Sequence, residues 1–121
     1  MTGTRPTRME LGAQGEELAL EHLQRAGMEL LDRNWRCRAG EIDLVMRDGG
    51  QVVVCEVKTR TSTRFGDPVE AVTPTKHARL RRLAGMWVAE HASPAGGLRL
   101  DVVGMLFHPD GTHSVDHRRG V

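Results

Sequence analysis

The chain predicts an α/β domain in which a mixed sheet is flanked by helices, with elements in the order αβββαβ. Three observations lead there. Two apolar runs, Ile42 to Met46 and Val52 to Val57, flank an Asp48-Gly49-Gly50-Gln51 turn. Two long segments, Thr7 to Ala26 and Thr73 to Ala92, carry helical periodicity behind capping residues, and Leu98 to Phe107 is a further strand-like run. At 121 residues the chain has room for one core, so residues 1–121 form a single domain. Its polar ends, 1–6 and 116–121, are expected to be flexible.

Thr7-Arg8-Met9-Glu10 reads as a capping box, and Gly27 is a natural stop for the helix that follows. Glu10, Glu17, Glu21 and Arg25 mark the outer face of that helix. Glu16 differs, because it stacks with Gly12, Ala19 and Leu23 on or beside the face that packs on the sheet. It is either a boundary glutamate reaching solvent or a carboxylate approaching the hairpin. Met28 to Trp35 then reads as the first strand, followed by a basic turn over Arg33 to Arg38. Trp35 is read as tucked into the core in preference to a platform for a nucleic-acid base.

The hairpin is the most informative feature. Glycine tolerates the positive φ that two-residue turns require, so Gly49 and Gly50 fix the register. Residue 48 then faces 51, 45 faces 54, and Asp43 lies opposite Glu56. Strand alternation puts Ile42, Leu44, Met46, Val53, Cys55 and Val57 on a core face, and Glu41, Asp43, Val45, Val54, Glu56 and Lys58 on the other. A slip of one residue would bury the carboxylates. Opposed residues have Cβ atoms roughly 5 Å apart, where like charges destabilise a sheet unless a cation lies between them. Two carboxylates suit a hard ion such as Mg²⁺ or Mn²⁺, whose shell is often completed by substrate phosphate. Lys58, two residues beyond Glu56, can orient an attacking water or neutralise charge building on a phosphodiester. Glu-x-Lys alone is common in exposed edge strands; the opposed Asp43 is what favours a metal site.

Thr59 to Thr73 is a polar segment containing Arg60, Arg64, Phe65, Gly66 and Pro68, of a kind that closes over ligands. Thr73-Pro74 supplies an N-cap and N1 proline to the second helix, whose core stripe is Leu80, Leu83, Ala84, Trp87 and Val88. Lys76, Arg79, Arg82 and Arg81 lie on its other faces, suited to a sugar-phosphate backbone or to plain solvation. Pro94-Ala95-Gly96-Gly97 breaks the helix before the strand over Leu98 to Phe107, in which Asp101 is read as structural, and a short last strand is expected near His113 to Val115.

Composition limits the setting. Seventeen Lys and Arg against sixteen Asp and Glu leave the chain nearly neutral, so local clusters must decide about nucleic acid. Cys37 and Cys55 lack metal-ligand spacing, and a reduced state fits better than a disulfide. Without an apolar leader or a run approaching about 20 apolar residues, a cytoplasmic protein without membrane contact is expected.

Gly12-x-x-Gly15-Glu16, Asn34 and Arg36, Gly40-Glu41-Ile42-Asp43-Leu44-Val45, Glu56-Val57-Lys58-x-Arg60, Phe65-Gly66, Lys76 and Arg99-x-Asp101-Val102-Val103 together resemble the YraN-like bacterial proteins. That uncharacterised family belongs to the restriction-endonuclease-like PD-(D/E)xK superfamily and is similar to archaeal Holliday junction resolvases. The resemblance implies a restriction-endonuclease-like αβββαβ core with catalytic residues Glu16, Asp43, Glu56 and Lys58. It further implies Mg²⁺ or Mn²⁺ on Asp43 and Glu56 with help from Glu16. Ile42 stands where the superfamily carries a proline. The expected activity is a metal-dependent endodeoxyribonuclease acting on branched DNA in recombination or repair. The partners expected are DNA, contacted by Arg36, Arg60, Arg64, Lys76 and Arg79, and a second copy in a homodimer. The other reading is a non-catalytic nucleic-acid-binding module on the same fold.

Overall fold

In the computed structural model, which describes residues 6–64, 66–91 and 96–121, the chain enters α1 (Arg8–Arg25) through Thr7. The Thr7 hydroxyl accepts the Glu10 N–H at 3.1 Å and donates to the Glu10 carboxylate, a variant of the expected capping box. Ala26 caps the other end and Gly27 follows at φ 93°, a left-handed conformation that suits glycine.

Five strands form one sheet in the order β1-β2-β3-β4-β5. They are β1 (Glu29–Cys37), β2 (Gly40–Asp48), β3 (Gln51–Arg60), β4 (Leu98–Phe107) and β5 (His113–Arg118). Neighbours are antiparallel except β3 and β4, which run parallel because α2 (Pro74–His91) carries the chain back between them. Thr73 caps α2, its hydroxyl accepting the Lys76 N–H at 3.2 Å. Among the described residues no helix is long and apolar enough to cross a membrane.

The two helices cover opposite faces of the sheet. Ala19, Leu20 and Leu23 of α1 pack on Leu44, Met46, Val53, Cys55, Val57, Val103 and Met105. Leu80, Leu83, Ala84 and Trp87 of α2 pack on Ile42, Val45, Val52, Val54 and Leu100, with Trp35 and Val88 partly buried beside them. Trp35 therefore belongs to the core edge, as read from the sequence. Cys37 and Cys55 are free thiols.

Several expectations need correction. Arg33 to Cys37 is strand, not turn: β1 runs on to Cys37, with Asn34 at φ 53° and a bulge between Leu30 and Asp32 absorbing the irregularity. Thr59 and Arg60 likewise complete β3 instead of opening the loop, which contains a short 3-10 turn over Pro68–Ala71. Ile42 packs on the α2 side, apart from Leu44 and Met46. The regular pairing of β2 with β3 ends at Leu44, and beyond it Ile42 follows its β1 partner Trp35. Val45 and Val54 are fully buried, so the site-bearing face is a second core over much of its area.

At the far end β5 extends past Val115 to Arg118. The expected loose tail is tied back by the Gly120 N–H to the Asp101 carboxylate at 3.1 Å and the Val121 N–H to the Leu100 carbonyl at 2.9 Å. Met1 to Arg5, Phe65, Ala92 and Pro94-Ala95 lie outside the described residues.

Candidate metal and phosphate cleft

β2 and β3 hold the expected register, Asp48 facing Gln51 and Val45 facing Val54, up to the Leu44–Cys55 pair. One residue further the ladder stops, and the Asp43 carboxylate accepts the Val57 N–H at 2.8 Å. Asp43 and Glu56 thus sit where the two strands leave regular pairing. Their carboxylates line one wall of a cleft of about 270 Å³, together with Glu41 and Gly40. Lys76 and Arg79, from the first two turns of α2, line the cleft too, over an apolar floor of Val72, Leu80 and Leu83. A negative wall and a positive wall therefore share one opening.

Lys58 pairs with Glu56, Nζ to Oε1 at 3.1 Å, and both side chains are about one-fifth exposed. This is a half-buried pair on an interior strand, unlike the solvated edge pair that Glu-x-Lys usually makes. Burial and the neighbouring Glu56 charge push Asp43 up to about 7, against the pull of the Val57 N–H; Glu16 and Glu41 add to the rise. Glu16 is also raised, first by burial and then by Glu41, with Arg33 opposing. Its Oε1 is buried and has no hydrogen-bond partner. Periodicity left open whether Glu16 reaches solvent; its carboxyl is instead half-withdrawn from water and electrostatically coupled to Asp43, Glu41 and Glu56. Among the described residues no group of three or more His, Cys, Asp or Glu side chains is close enough to hold a metal ion.

The other basic residues divide. Arg36 reaches the cleft only through Glu41, Nε to Oε2 at 3.1 Å, and is itself largely exposed. Arg60 bonds the Thr59 carbonyl at 2.9 Å, and Arg64 lies in the loop beyond; neither lines the cleft. Glu41 was missed as a member of the site, although its place two residues from Asp43 on one strand face was the available signal. Asp101 is structural: buried between the Arg99 guanidinium and the His117 ring, it lies outside the cleft.

A mixed sheet with helices on both faces, an αβββαβ core and carboxylates at the end of a hairpin ladder define a restriction-endonuclease-like α/β domain. Residues 15–105 match the model of uncharacterised protein family UPF0102, and the chain belongs to that family of YraN-like proteins. A UPF0102 protein from a Nocardioides species is 58% identical over 111 residues, covering 92% of this chain and 90% of the relative. One from Mycolicibacterium vanbaalenii is 50% identical over 121 residues, covering 100% and 99%. Another from Acidothermus cellulolyticus is 48% identical, covering 99% and 98%.

Proposed function

We propose that this protein is a metal-dependent endodeoxyribonuclease that hydrolyses phosphodiester bonds, with branched DNA as its substrate class. One observation carries the reading: Asp43 and Glu56 share a cleft with Lys76 and Arg79, and Lys58 is paired to Glu56 beside it. A pure polyanion binder gains nothing from half-buried carboxylates facing its ligand.

The donor set fits a hard divalent cation. It is all oxygen, burial and neighbouring carboxylates raise Asp43 in a way that a bound cation would relieve, and an orphaned Glu16 Oε1 lies in the same electrostatic neighbourhood. Two ligating carboxylates are what Mg²⁺ ordinarily takes, with water and substrate oxygens completing its shell. Asp43 and Glu56 would hold the ion, with Glu16 nearby. An ion held there would supply Lewis acidity to the phosphodiester and would make a neighbouring water easier to deprotonate.

The chain's own groups do the rest. Lys76 and Arg79 orient the phosphate from the opposite wall through charge-assisted hydrogen bonds. The Lys58 ammonium is available to orient the attacking water and to offset charge that develops on the phosphate. The apolar floor of Leu80 and Leu83 limits water behind the phosphate.

The test is incubation of wild type and Asp43→Ala with branched, nicked, single-stranded and duplex DNA in Mg²⁺ or Mn²⁺. Cleavage by wild type alone is expected; no cleavage of any substrate, or equal cleavage by the variant, overturns the proposal. The binding-module reading is favoured by two observations, the occupation of Glu56 by Lys58 and the absence of a three-ligand group among the described residues. It predicts metal-independent, salt-sensitive retention of DNA with equal affinity in Asp43→Ala.

A further inference from the structure

Gly15 is buried in α1 and lies so close to Thr59 of β3 that a Cβ built on it would overlap the Thr59 hydroxyl. Rotation of Thr59 gives little relief, because its Cβ and Cγ2 would stand only 3.2 and 3.3 Å from the added atom. The contact is therefore one of shape, a helix backbone seated against a β-branched side chain. On each element it adjoins a residue of the expected site: Gly15 precedes Glu16, and Thr59 follows Lys58.

Glu16 needs such a support. Its Oε1 is buried without a hydrogen-bond partner, so no bond to that atom keeps the carboxyl near the cleft. With that oxygen unbonded, the depth at which the α1 backbone sits decides where the carboxyl stands.

We infer that the Gly15–Thr59 contact is a positioning device: it sets the depth of α1 against β3 and so fixes how near the Glu16 carboxyl stands to the Asp43 and Glu56 carboxylates that would hold a divalent cation, and with that the negative field the cation meets. This rests on the metal site proposed above. Gly15 and Thr59 touch no ligand themselves; they act through Glu16.

Calorimetric titration of the metal-free full chain with Mn²⁺ reads this directly and needs no turnover. Gly15→Ala is expected to weaken Mn²⁺ binding about tenfold, the usual scale for residues that orient ligands. Adding Thr59→Ala to it removes the overlapping hydroxyl and should restore most of the affinity. Thr59→Val keeps the branched shape and should bind as wild type does. Thr59→Leu presses on the same contact from the strand and should weaken binding even if Gly15→Ala does not fold. In a Glu16→Gln background Gly15→Ala should have no further effect. An equal loss in that background, failure of the double variant to recover, or a loss in Thr59→Val overturns the inference. So does wild type that takes up no Mn²⁺, which also removes the metal site. Mn²⁺ binding that follows this pattern in a protein that cleaves no DNA leaves the positioning role standing and refutes the nuclease reading alone.

Discussion

The Asp43 carboxylate accepts the main-chain N–H of Val57 at 2.8 Å, one residue past the last regular β2–β3 pair. A side chain thereby satisfies a strand amide where the ladder stops, so the strands can leave regular pairing without orphaning a buried donor. The bond anchors Asp43 within the same cleft as Glu56.

That bond does not outweigh what opposes ionisation. The Asp43 carboxyl titrates at about 7 when folded and near 3.8 when unfolded, so its protonated form is favoured by folding. Its contribution is fully present below pH 3.8 and is lost as pH rises through about 7. The total change is up to about 4 kcal/mol. Thermal melts of the metal-free protein should show stability falling across that window, and Asp43→Asn should flatten the slope and be the more stable protein at pH 8. A slope unchanged in the variant refutes the assignment.

Lys58→Ala removes the cation paired to Glu56 and leaves that carboxylate beside Asp43 without compensation. Stability should drop by about 1–3 kcal/mol, read from denaturant midpoints. Cleavage under the proposed function should fall by about 10²–10⁴-fold. Cleavage at the wild-type rate would exclude Lys58 from the chemistry.

Lys76→Ala and Arg79→Ala should each weaken DNA binding and lower the slope of log affinity against log salt by about 1, whatever the sequence. Arg60→Ala, outside the cleft lining, should change binding less. Filter binding across a salt series measures all three, and the reverse order would move the phosphate path to the loop side.

Asp101→Ala should be the most destabilising of these changes. Asp101 is fully buried and receives Arg99 at 2.9 and 3.0 Å, the His117 ring at 2.8 Å and the Gly120 N–H. Burial pushes its carboxyl up, yet the Arg99, His117 and Gly120 bonds outweigh this and hold it below the ordinary value. Its stabilisation is therefore present above pH 3.8 and lost as pH falls through the lower folded value. Truncation leaves Arg99 half-buried beside an empty site, at a cost of about 3–5 kcal/mol. Urea unfolding of Asp101→Ala at pH 7 is the measurement.

The parts of this molecule legible in its sequence are those fixed by near neighbours. Gly49-Gly50 set the hairpin register, Thr7 and Glu10 set the start of α1, and Thr73-Pro74 set the start of α2. What required the folded chain depends on distant partners. Arg33 to Cys37 lacks an apolar alternation because β1 is an edge strand, so its strand character comes from pairing with β2. The polar run Asp116-His117-Arg118 reads as a tail until Asp101 binds His117 across the sheet. Periodicity removes Lys76 and Arg79 from the core stripe of α2, but only the packing of that helix on β2 turns them toward Asp43. Ile42 broke alternation because Trp35, not its β3 neighbours, sets its face.

The bulge at Leu30/Asp32 and the left-handed Asn34 interrupt the outer rim of β1 twice within five residues. A foreign strand seeking to extend the sheet there meets amides that no longer point outward at regular intervals. That border is a poor template for an added strand, whereas the opposite border, β5, keeps an unbroken register with β4.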